Sequence, residues 1–97
     1  MARRRMAAPD PSFDREVALA IGIARRLRRP MKTFAFELRR ELGWESLSSR
    51  AVYSWESGEA RVPAVALLAA AKVTARSVDQ LLETARRMEI WGLFPGE

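Results

Sequence analysis

Pro30, Gly43, Gly58 and Pro63 cut the middle of this sequence into short pieces, and each piece carries its apolar residues at helical rather than alternating spacing. Proline lacks the amide that a helix interior needs, and glycine readily takes the left-handed conformation that ends a helix. The chain is therefore expected to be all-α, a bundle of short helices with no strand. Phe13, Val17, Ile21, Ala24 and Leu27 recur at steps of three and four, which predicts a first helix of about fifteen residues that Pro30 must end. Thr33 can cap a second, short helix whose apolar stripe is Phe34, Leu38 and Leu42, closed by Gly43. Trp44 to Leu47 then form a turn, Ser48 caps a third helix over 49–57, and Gly58 ends it. Pro63 suits the first position of a fourth helix, running from Ala64 to Thr74. Ser77-Val78-Asp79-Gln80 has the form of a capping box, so a fifth helix runs from Val78 to about Ile90 with Val78, Leu81, Leu82 and Ala85 inward.

Ninety-seven residues that are 48% hydrophobic can close one core but not two. The expected organisation is a basic arm over 1–12, one helical domain over 13–90 and an apolar tail over 91–97. The absence of cysteine and histidine removes disulfides, thiolate and imidazole metal sites, and the Ser-His-Asp and Cys-His nucleophile systems. The twelve acids are scattered, mostly beside arginines at helical spacing, as on solvated faces. An enzyme is not expected, nor a metal or other cofactor. The longest apolar run, Ala64 to Ala71, is well short of the roughly twenty residues of a membrane span. Pro9, Asp10 and Pro11 interrupt any signal-peptide core behind the basic start, which points to the cytoplasm.

The net charge of +5 is polarised. Residues 1–40 carry eleven Lys/Arg against four Asp/Glu, a balance of +7, and residues 41–97 carry six against eight, a balance of −2. A basic arm and a basic first half are the electrostatic footprint of a polyanion partner, nucleic acid ahead of a membrane surface. The predominance of arginine, fifteen against two lysines, is equally what a GC-rich bacterial genome produces.

The third predicted helix has two distinct sides. At about 100° per residue, Val52, Trp55 and Glu56 share one side, while Arg50, Tyr53, Ser54 and Ser57 share the other. The first side is built for a core. The second offers a guanidinium, a phenol and small hydroxyls, groups that hydrogen-bond base edges and phosphates, and carries no acid. A carboxylate turned toward the core needs a cationic or N–H partner, so Glu56 is expected to have one.

Short helix, turn, short helix, then Glu-x-Gly and a nearby proline resembles the XRE/Cro-like helix-turn-helix family of bacterial and phage transcription regulators. The resemblance covers about residues 17 to 82. Leu38 with Leu42-Gly43 looks like the family's second helix and its glycine turn. Val52-Tyr53-Ser54-Trp55-Glu56-Ser57-Gly58 looks like the end of its recognition helix, and Pro63, Leu67-Leu68 and Ser77-Val78-Asp79-Gln80-Leu81-Leu82 look like its fourth and fifth helices. The chain departs from the pattern in three places. Its turn is enlarged by about three residues, Trp44-Glu45-Ser46; apolar Phe34 and Ala35 stand where a polar phosphate contact is common; and Arg39 replaces a small alanine, which requires it to point outward.

The resemblance implies a five-helix, lambda-repressor-like bundle that binds double-stranded DNA as a small bacterial transcription regulator at the nucleoid. The helix over 49–57 would lie in the major groove. Arg50 would contact a base, Tyr53 and Ser54 bases or the adjacent backbone, and Ser49 and Ser57 would flank them. Lys32, Arg39, Arg40 and Arg61 would hold phosphates, and Arg28 would pair with Glu56 by the family's spacing. Arg3, Arg4 and Arg5 would add a minor-groove arm or nonspecific attraction. The tail residues Trp91, Leu93 and Phe94 either fold back onto the bundle or form a partner surface, which between two copies would give a twofold dimer. An alternative keeps the fold with weak DNA affinity and uses that tail in a protein-interaction adaptor or antitoxin-like partner.

Overall fold

The computed structural model describes residues 11–91 as five α-helices, with no strand among them. They are α1 (Pro11–Leu27), α2 (Met31–Leu42), α3 (Ser49–Ser57), α4 (Ala64–Val73) and α5 (Val78–Trp91). The expected arm residues 1–10, including Arg3, Arg4 and Arg5, and the tail residues Leu93 and Phe94 lie outside the described residues. Trp91 is the last residue of α5.

The core is the set of inward stripes meeting. Ile21 of α1, Phe34 and Leu38 of α2, Val52 of α3 and Leu81 of α5 are its largest fully enclosed side chains. Between them sit alanines with no exposed surface, Ala20, Ala24, Ala66, Ala70 and Ala85, whose small side chains let the helix axes approach closely. α1 lies along α5 and α2 along α4, while α3 rests mainly on α1. Arg76, Gln80 and Thr84 share a shallow cavity with Ile23 and Leu27, and Arg86 pairs with Glu16 at 3.3 Å, so α1 and α5 run antiparallel. No helix among the described residues is long and apolar enough to cross a membrane.

Four helix ends fall where local chemistry places them. Ser48 Oγ accepts the Ala51 amide at 3.1 Å, and Gly58 takes the left-handed φ of 86° that closes α3. Gly43 does the same for α2 at φ 72°. At the start of α5 the box is reciprocal: Gln80 N–H donates to Ser77 Oγ at 3.0 Å, and Ser77 N–H donates to Gln80 Oε1 at 2.8 Å.

Other ends differ from expectation. α2 starts at Met31, and its cap is Pro30 rather than Thr33, whose side chain lies half-buried within the first turn. The earlier start follows from Met31, which packs on the core one turn before Phe34; Phe34 N–H reaches the Pro30 carbonyl at 3.0 Å. α1 begins at Pro11, within the stretch expected as arm, because proline fits a first helical turn. Pro63 caps α4 from just outside, and Thr74 is its C-cap, with its hydroxyl donating back to the Ala70 carbonyl at 2.9 Å.

Ala75 follows with φ 58°, while its amide and that of Arg76 close onto Lys72 and Ala71. A left-handed residue with a Cβ costs roughly 1 to 2 kcal/mol, partly offset by the freedom glycine would lose on folding. Ala75→Gly is therefore expected to stabilise the domain by about 0.5 to 1 kcal/mol. A higher urea midpoint at unchanged slope is the sign to look for, and an unchanged or lower midpoint would show that the turn carries no strain.

Candidate functional site

α3 is held from below by Val52, fully enclosed, and Trp55, which is 6% exposed. Trp55 meets Trp44 edge to face, with ring centroids 6.4 Å apart and planes at 73°. Trp44 opens the turn between α2 and α3. Its carbonyl accepts Arg39 Nη1 at 2.9 Å, and Leu47 at the far side of the turn also packs on the core. The turn is thus anchored at both ends rather than looping free.

Glu56 lies beside Trp55 and is clamped by Arg25, not Arg28. Arg25 Nε donates to Oε2 at 2.5 Å and Nη2 to Oε1 at 3.0 Å, and the two side chains are only 16% and 12% exposed. Arg25 stands one position past buried Ala24 and within the last turn of α1, so its side chain meets the end of α3. Arg28 follows the last residue of α1 and turns instead to α2, forming a second bidentate pair with Glu37 at 2.7 and 2.6 Å. Spacing along the chain could not separate two arginines one turn apart.

The electrostatics follow the geometry. The Glu56 hydrogen bond raises the Arg25 guanidinium further above its usual range; partial burial opposes this, and the charge of Glu56 adds to it. The Arg28 hydrogen bond holds the Glu37 carboxyl below the usual carboxylate range, against some desolvation and with help from the charges of Arg28 and Arg40.

The outer side of α3 is open. Arg50 and Ser57 are exposed, Tyr53 is 51% exposed, and Ser49 and Ser54 are half-buried. The Arg25 guanidinium carbon lies 5.7 Å from the Tyr53 ring centroid, so the phenol rests on the same arginine that clamps Glu56. Both serine hydroxyls bond back to the helix, Ser54 Oγ donating to the Ala51 carbonyl at 2.7 Å and Ser57 Oγ to the Ser54 carbonyl at 3.2 Å. Their remaining capacity is as acceptors, which suits a donor on a partner better than a phosphate.

The other cations expected to act fall into separate places. Lys32, Arg39 and Arg40 gather on α2 around Phe36, an exposed aromatic that the sequence reading did not single out. Arg39 is half-buried, its guanidinium lying across that ring and donating to the Trp44 carbonyl. Arg61 stands in the loop after α3, 3.8 Å from Asp14 of α1, and both are well exposed, so that pair contributes little. Together they edge a largely apolar cavity of about 680 Å³ whose walls include Val17, Trp55, Leu67 and Leu68.

Compared with protein-family models, curated proteins and solved structures, the chain matches none.

Proposed function

We propose that α2, the anchored turn and α3 form the helix-turn-helix of a lambda-repressor-like bundle, and that the protein binds double-stranded DNA sequence-selectively as a small, non-enzymatic bacterial transcription regulator in the cytoplasm. The XRE/Cro-like pattern around Glu56 and Gly58 supports this reading. One observation carries it: α3 is pinned by Val52 and Trp55, and its acid is locked to Arg25, so the side left open presents Arg50 and Tyr53 with no carboxylate among them.

Arg50 would take a guanine, whose O6 and N7 accept both arms of a guanidinium. Tyr53, steadied on Arg25, would contact the neighbouring base or sugar, with Ser49, Ser54 and Ser57 beside it. Lys32, Arg40 and Arg61 would add attraction to phosphates. Two copies joined through the tail around Trp91, Leu93 and Phe94 would read an inverted repeat with half-sites about 34 Å apart.

The test starts with selection of an enriched duplex on the full chain, followed by anisotropy titrations of that duplex and a random one across salt. Arg50→Ala is expected to weaken the enriched duplex by about 5- to 150-fold and leave the random one within about twofold. Equal loss on both duplexes, or none on either, would remove α3 as the reader.

A further inference from the structure

Phe36 stands alone in the middle of the solvent side of α2, 53% exposed, opposite the buried Phe34, Ala35 and Leu38. The guanidinium carbons of Arg39 and Arg40 lie 5.5 and 5.9 Å from its ring centroid, and Lys32 lies one turn before it on the same face. Arg39 is further fixed through the Trp44 carbonyl. The acids of this helix are engaged elsewhere, Glu37 with Arg28 and Glu41 with Lys72 at 3.1 Å. Lys32 and Arg40 make no ion pair within 4 Å among the described residues, although the charge of Arg40 is felt at Glu37. The result is a half-open aromatic ring rimmed by cations.

We infer that this outer face of α2, which shares Lys32 and Arg40 with the duplex reading but lies away from the base-reading side of α3, also takes unpaired nucleotides: a base stacks on Phe36 while Arg39, Arg40 and Lys32 hold the flanking phosphates. The charge calls for a polyanion. The ring selects among polyanions, because a duplex hides its base faces in its own stack whereas an unpaired strand offers them, and stacking on an aromatic plane tolerates any base. An acidic protein partner fits less well. A protein hot spot needs a cluster of apolar groups that seals out water, and Phe36 has cations rather than apolar neighbours on its own face. From Lys32 to Arg40 the helix rises about 12 Å, a length that a few nucleotides of extended strand can follow.

The experiment titrates the full chain with a fluorescent oligothymidine single strand, a random duplex and a polyglutamate peptide. Phe36→Leu keeps an apolar side chain and removes the π face; Phe36→Trp enlarges that face. The single strand is expected to bind Phe36→Leu about tenfold more weakly and Phe36→Trp at least as tightly as the unaltered chain, with duplex affinity unchanged within about twofold. Replacing Arg39 and Arg40 together by glutamine should shallow the salt slope for the single strand by about 1.4, two phosphates' worth. Arg50→Ala leaves single-strand binding intact, so failure of the duplex reading and failure of this one are told apart. Equal binding of the single strand by Phe36→Leu and the unaltered chain would overturn the proposal. So would loss of polyglutamate rather than oligothymidine binding in that variant, which would make the surface a protein-docking site. Phe36 is not part of the core, so circular dichroism should show each variant folded.

Discussion

Replacing Trp55 with alanine is expected to cost about 3 to 5 kcal/mol of folding stability, the range for removing a large buried aromatic. The indole is 6% exposed and serves two purposes at once. With Val52 it fixes which way α3 faces, and through its edge contact with Trp44 it seats the turn between α2 and α3 against the bundle. The site has little means of collapsing around the gap. One flank is already the cavity beside Val17 and Leu67, and on the other Trp44 is tethered by Arg39. For a domain whose whole stability is on the order of 5 to 15 kcal/mol, such a loss removes much of it. Trp55→Phe, which retains a ring, should lose less. A double-mutant cycle with Trp44→Ala should return about 0.5 to 1.5 kcal/mol for the ring pair itself. The measurement is urea unfolding followed by circular dichroism, read from the midpoint at constant slope. A loss under about 1 kcal/mol for Trp55→Ala would mean that Trp55 does not hold α3 in place.

What could be read from the sequence was whatever is decided within a few residues. α3 spans 49–57 as expected because both its ends are local: a serine whose hydroxyl takes an amide three residues on, and a glycine free to turn left-handed. The Ser77 to Gln80 box and the inward set Leu81, Leu82 and Ala85 are of the same kind. So is the side of α3 that faces water, since Val52 and Trp55 leave Arg50 and Tyr53 nowhere else to go. The misreadings lie where distant segments decide. Met31 lengthens α2 because a core built by other helices has room for it. Ala75 turns left-handed without the glycine that would have announced it, held by amides that close onto the end of α4. Phe36 reads as one more apolar residue in a helix, and only the placement of Phe34 and Leu38 in the core reveals that it faces out between two arginines. The choice between Arg25 and Arg28 depends on how α1 crosses α3, which no helical wheel contains.

That choice supplies a sharp stability contrast. Arg25→Ala should cost about 2 to 3 kcal/mol, between the fraction of a kcal/mol typical of exposed pairs and the 3 to 5 of fully buried ones, because both partners are mostly but not wholly shielded. The cost arises less from the lost attraction than from what remains, a Glu56 carboxylate held against Trp55 without its two donors. Arg28→Ala should cost under about 1 kcal/mol, since its pair with Glu37 is substantially exposed. Replacing Arg25 and Glu56 together by leucine and methionine should recover most of the loss, because a partly buried pair exchanged for apolar groups of similar length leaves no orphaned charge. The same double variant bears on the proposed DNA reading. It restores the fold but removes the guanidinium beneath Tyr53, so on that proposal affinity for the enriched duplex should stay below that of the unaltered chain, and full recovery would show that the phenol's seat plays no part. Urea midpoints of the four proteins decide the structural part: equal losses for Arg25→Ala and Arg28→Ala would mean that the clamp on α3 is shared between the two arginines, and the assignment of Arg25 as its anchor would fall.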